Sequence, residues 1–145
     1  MKNTMQPLTR IDHLGIAVRS LEEAGRLYRD VLGLTGGEIE EIPDQKVRVV
    51  MFEVGEVRIE LLEPTADDGP IAKFLAKNGP GLHHVAYRVA DLPATLAALR
   101  SAGVRLIDEE PRPGAHGMKI AFAHPKSTGG VLTEFCQDLT QRPQS

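Results

Sequence analysis

The chain has 145 residues, 41% hydrophobic and 26% charged, the size and balance of one packed globular domain, which excludes intrinsic disorder and fibrous structure. The 17 Lys and Arg against 20 Asp and Glu leave a net charge of −3 with no basic run to track a phosphate backbone, so nucleic acid is not an expected partner. The lone Cys136 excludes an internal disulfide, no window nears the roughly 20 apolar residues of a membrane span, and the N-terminus lacks a secretory apolar stretch; a cytoplasmic protein away from the membrane is expected.

Ile11 to Val18 alternates, with Ile11, His13, Gly15 and Ala17 on one face and Leu14, Ile16 and Val18 on the other, which predicts a strand with one small, polar face. Ser20 with Glu23 three residues on forms a capping box, and Leu21, Ala24, Leu27, Tyr28, Val31 and Leu32 then recur at helical spacing until Gly33. This predicts a helix over 20–32. The acidic run Glu38 to Glu41 reads as an exposed edge. Gln45 to Val54 and Glu56 to Leu62, rich in Val, Ile and Phe, meet at Gly55-Glu56 and predict a β-hairpin. Pro70 opens a short linker helix, 70–78, closed by the turn Asn78-Gly79-Pro80-Gly81.

Leu82 to Val89 repeats the opening strand, Asp91 takes the capping place of Ser20, and Leu92, Leu96, Leu99 and Ala102 repeat the apolar stripe before Gly103. Strands are predicted at 105–108, 118–123 and 131–136. The two halves share one order of elements at an offset of 71 residues, which predicts an internal duplication. The modules span about 10–63 and 82–137 within a single domain, 10–137, and residues 1–9 and 138–145 are predicted to be frayed tails.

Each half carries a histidine early in its first strand, His13 and His84, and a glutamate late in its last, Glu60 and Glu134. The histidines are offset by 71 residues and the glutamates by 74, so a three-residue insertion brings both pairs into register. Alternation sets Glu60 against the direction of Val57, Ile59 and Leu61, as His13 is set against Leu14 and Ile16, so all four can point into one cavity. Two imidazoles and two carboxylates suit one divalent ion such as Co, Mn, Ni or Zn with coordination sites left open, and without such an ion the grouping would bury uncompensated charge.

The other polar residues read differently. His83 and Asp12 neighbour the ligands but face the other way, as structural or supporting groups. His116, in Gly114-Ala-His-Gly117, stands in a turn that either only reverses the chain or closes over a substrate. Lys126, after His124-Pro125, is placed to meet an anionic substrate or else is simply solvated, and Cys136 reads as a small core residue because no paired base is evident.

These residues resemble the vicinal oxygen chelate superfamily, of fold class α+β, in which two tandem βαβββ modules with curved mixed sheets enclose a metal-binding cavity. The likeness runs from Ile11 to about Gln137 and is strongest to the methylmalonyl-CoA epimerases, through Ile11-Asp-His-Leu-Gly-Ile-Ala-Val, Ile71-Ala-Lys-Phe-Leu-Ala-Lys, Gly81-Leu-His-His-Val-Ala and His124-Pro-Lys-Ser with Gly130-Val-Leu-Thr-Glu134. The resemblance implies an isomerase that interconverts the R and S forms of methylmalonyl-CoA through a metal-chelated enolate. It also implies metal ligation by His13, Glu60, His84 and Glu134, Glu134 as the base, and assembly into a homodimer. The acyl-CoA substrate follows from the same resemblance, with Lys126 and His116 as candidate substrate contacts. Inversion needs a second proton relay, and where relatives often carry Glu this chain has Val49; Asp44, Glu41, His116 or a metal-bound water remain open for that role.

Other members of the superfamily stay open as alternatives. Glyoxalase I resembles the same two-His, two-Glu pattern, whereas a ring-cleaving dioxygenase keeps a single carboxylate. A non-catalytic ligand-binding protein of the same fold usually lacks the quartet, so metal content separates it from the enzymes.

Overall fold

The computed structural model describes residues 5–140; the expected tails lie partly outside them, at 1–4 and 141–145. The chain forms two compact units, residues 13–83 and residues 84–140 joined by the segment up to Asp12. Both are α+β, as expected. Among the described residues no helix is long and apolar enough to cross a membrane.

In the first unit, strand β1 (Ile11–Ala17) leads to helix α1 (Leu21–Gly25), capped where Ser20 Oγ accepts the Glu23 N–H at 3.2 Å. Two short strands follow, β2 (Thr35–Gly36) and β3 (Glu40–Ile42), then β4 (Val47–Val54) and β5 (Val57–Pro64) around the Gly55-Glu56 turn. Strand β5 lies parallel to β1 and antiparallel to β4, while β2 and β3 both pair antiparallel with β4. One face of this sheet packs Val50, Phe52 and Leu61 against Leu21, with Tyr28 stacked at 6.0 Å on Phe52. That contact dictates Gly36, where a Cβ would stand 2.5 Å from Phe52 Cε1.

The helix expected over 20–32 is α-helical only to Gly25. Arg26–Val31 continues in wider turns, with the Leu32 N–H donating to Leu27 O at 2.8 Å. Each such turn holds one residue more than an α-turn, so the apolar spacing drifts out of phase. Leu27, Val31 and Leu32 are therefore exposed instead of joining the buried stripe. Helix α2 (Pro70–Asn78) then closes the first unit where the linker helix was expected.

The second unit runs β6 (Gly81–Arg88), helix α3 (Leu92–Ser101), β7 (Arg112–Pro113), β8 (Met118–Ala123) and β9 (Thr133–Asp138). Its sheet order is β6-β9-β8-β7, with β6 and β9 parallel. Leu92 and Leu96 pack on Ala121, Ala123 and Phe135, the counterpart of the first unit's core. The strand expected at 105–108 does not form: only an isolated bridge joins Leu106 to Ala123. Asp108 peels the segment away, because its carboxylate accepts the Phe122 N–H at 2.8 Å and so occupies a donor that a neighbouring strand would need.

Asp12 is fully buried, and its carboxylate accepts two bonds from Arg88, from Nε at 2.9 Å and from a terminal nitrogen at 2.6 Å. The sequence reading of Asp12 as structural stands on this pair. Arg88→Ala would strand a buried carboxylate, and we expect a loss of about 3–5 kcal/mol. The check is a urea midpoint that falls at unchanged slope.

Candidate metal and proton-transfer site

In the first unit His13 is 2% and Glu60 5% exposed, on adjacent strands of one sheet, with Nε2 to Oε1 at 3.4 Å. The register explains the meeting. Gly15 stands opposite Glu60 on β5, so His13, two residues earlier on β1, shares the carboxylate's face, and the missing side chain at Gly15 leaves space beside both.

The second unit repeats the arrangement. Ala86 stands opposite Glu134, His84 lies two residues before Ala86, and Nε2 to Oε1 is 3.3 Å at 2% and 4% exposure. The Phe122 ring meets the His84 imidazole edge-on at 5.5 Å and fixes its orientation. Thus two strand pairs, each with a small residue opposite the acid, present one imidazole nitrogen and one carboxylate oxygen in the same buried geometry.

The chemistry of this donor set fits a borderline divalent ion. Two carboxylates almost wholly removed from water call for nearby positive charge, and imidazole with carboxylate is the ligand chemistry of Zn, Co, Ni and Mn.

The remaining candidates fall elsewhere. His116 is exposed at φ 55°, in the tight turn Ala115–Gly117 before β8. Lys126 is exposed in the turn Pro125–Ser127 after β8, its backbone N–H bonded to His124 Nδ1 at 3.1 Å. The two therefore flank opposite ends of a six-residue strand, roughly 20 Å apart by strand rise, and do not form one cluster. Glu134 pairs across from Phe122, next to the Lys126 end.

His83 packs its ring edge-on to Phe74 at 5.0 Å, a core contact. Cys136 is fully buried and its thiol donates weakly to Tyr87 O at 3.5 Å, in keeping with a packing role. Glu41 pairs with Arg48 across β3 and β4, whereas Glu60 pairs with Met51 across β4 and β5. Positions 48 and 51 differ by an odd number, so Glu41 faces away from Glu60. Asp44 lies outside the sheet, in the turn Pro43–Gln45.

The profile of the Glyoxalase/Bleomycin resistance protein/Dioxygenase superfamily matches residues 12–122. The Bacillus subtilis protein YqjC is 47% identical over 130 residues, covering 90% of this chain and 93% of its own. The ethylmalonyl-CoA/methylmalonyl-CoA epimerase of Cereibacter sphaeroides is 42% identical, covering 88% of this chain and 97% of its own. Among solved structures, a variant of Streptomyces coelicolor methylmalonyl-CoA epimerase in complex with 2-nitronate-propionyl-CoA is 40% identical at a TM-score of 0.90, covering 95% of this chain and 100% of that one.

Proposed function

The chain belongs to the glyoxalase/bleomycin resistance protein/dioxygenase superfamily and, within it, to the methylmalonyl-CoA epimerase family, and from this premise we propose that it interconverts the R and S forms of methylmalonyl-CoA. The supporting observation is the buried histidine–carboxylate pair repeated in the same register in each unit. We assign His13, Glu60, His84 and Glu134 to one divalent ion, Co, Mn, Ni or Zn. When bound, the ion supplies Lewis-acid stabilisation for the negative charge that loss of the α-proton places on the thioester and carboxylate oxygens.

Glu134 takes the proton. A carboxylate has two oxygens, one to ligate and one to accept a proton, and its burial keeps water from competing. Lys126, exposed next to the strand end that carries Glu134's partner Phe122, attracts the anionic tail of the acyl-CoA and so serves binding more than chemistry.

The deciding experiment incubates the Co- or Mn-loaded protein with one epimer of methylmalonyl-CoA in deuterated water. Deuterium should enter the α-carbon as the sample approaches a near-equal mixture of epimers. Should the loaded protein incorporate no deuterium, the epimerase reading is wrong and the glyoxalase reaction becomes the next assay.

A further inference from the structure

We propose that the first unit carries a second small-molecule site, on the sheet face turned away from Glu60, and that this site takes a free α-amino acid with an apolar side chain. The assignment does not depend on the epimerase reading, because it uses none of the residues assigned to the metal.

Alternation places the site. Met51 stands opposite Glu60, so Val50 and Arg48 of β4, at odd offsets from Met51, point to the other face. Glu63 stands opposite Arg48 and shares that face. There a cavity of about 490 Å³ opens between these strands and the segment from Ser20 to Asp30, a size within the roughly 300–1,000 Å³ of small-molecule sites. Buried Leu21 and Val50 line it and exposed Ile39 borders it, so part of its wall is apolar.

The charged groups of the cavity are of two kinds. Glu63 is committed: one oxygen accepts the Leu21 N–H at 3.1 Å, and the other accepts two bonds from Arg48, from Nε at 2.9 Å and from a terminal nitrogen. Arg26 donates to Glu22 at 3.2 Å. Arg29 and Asp30 differ, for among the described residues neither has an oppositely charged partner. Successive helix residues do not face each other, so these two cannot neutralise one another, yet both border the cavity.

Arg29 is held in place without a carboxylate. Its guanidinium carbon lies 5.4 Å from the Phe52 ring centroid, and a Cβ at Gly25 would stand only 3.3 Å from one of its terminal nitrogens. Stacking on a buried ring fixes the plane of the fork and leaves N–H edges for a ligand. The wide turns of Arg26–Val31 set Arg26, Arg29 and Asp30 on the cavity and leave Leu27 and Val31 exposed, and such turns are frequent at functional sites.

These features select the ligand. A carboxylate matches the planar fork of Arg29 and an ammonium matches Asp30. In an α-amino acid a single carbon joins those two groups, which suits partners presented by successive residues. Its apolar side chain then covers Leu21 and Val50. Because Arg26, Arg29 and Arg48 are balanced by Glu22, Asp30 and Glu63, the lining is neutral overall, which favours a zwitterion over a phosphate or a dicarboxylate.

The test is calorimetric titration of the full chain with L-leucine and with two truncated analogues, 4-methylpentanoate, which lacks the ammonium, and 3-methylbutylamine, which lacks the carboxylate. Leucine should bind at one site per chain and more tightly than either analogue. Arg29→Gln and Asp30→Asn should each weaken leucine by about 10-fold or more, the loss of one hydrogen-bonded charge contact. Arg19→Gln, which removes an exposed charge outside the cavity lining, should leave it unchanged. Residues 29 and 30 are both exposed, so the variants should remain folded. The analogues assign the two ends: Arg29→Gln should not weaken the amine, nor Asp30→Asn the acid. Leucine affinity unchanged in both variants overturns the site, as does the lack of saturable leucine binding at ~10 mM, where a site with a Kd of ~1 mM is about nine-tenths filled. Tighter binding of 4-methylpentanoate than of leucine overturns the amino acid as its ligand.

Discussion

Glu134→Gln should abolish deuterium incorporation at the α-carbon of the methylmalonyl-CoA epimer whose α-hydrogen faces residue 134, with a fall of about 10³-fold or more, because the amide cannot accept the proton and the neutral group is a poor base. The substitution keeps the side chain's shape at a position only 4% exposed, so the fold should survive. It also removes a negative ligand. Metal content of the purified variant therefore has to be compared with wild type before the rate is read. Loss of exchange with the ion retained identifies the base, whereas near-normal exchange in a metal-loaded variant would reassign it. The companion Glu60→Gln should retain more exchange, since the reading gives Glu60 ligation alone.

His84→Ala should weaken divalent-ion affinity by more than ~100-fold, since groups that merely support a ligand already cost 10- to 100-fold and a ligand should cost more. His13→Ala should match it, because the two histidines occupy the same register place, two residues before the small residue opposite the glutamate. Calorimetric titration with Co or Mn gives the affinity directly. Thermal unfolding gives a second measure: an ion present at about 100 times its dissociation constant stabilises the wild type by ~2.7 kcal/mol, a gain that His84→Ala should lose. His83→Ala, which removes a ring packed on Phe74, should keep metal affinity. If His84→Ala bound the ion as tightly as wild type, His84 would be no ligand.

The sequence by itself determined the α+β class of the fold and singled out four ligand-type residues, whose burial the structure then shows. It could do so because strand alternation is strictly two-fold, and the same side-chain types recur at repeat-related places. Spacing alone assigns His13 and Glu60 to one half and His84 and Glu134 to the other. Local signals were also enough for the caps at Ser20 and Asp91, which bond three residues ahead within their own turn.

Tertiary structure alone decided features whose bonding partners lie far along the chain. The wide turns of Arg26–Val31 took Leu27, Val31 and Leu32 off the buried stripe, and the side chain of Asp108 took the place of a strand bond. Strands β2 and β3 are two and three residues long, too short to show a period. Within Glu38-Ile-Glu-Glu41 nothing local tells Glu40 from Glu41, since which acid faces Glu60 depends only on the hydrogen-bonded register of β3 against β4. A slip of one residue would exchange the two faces, and that register is held by Ile42 pairing with buried Val47.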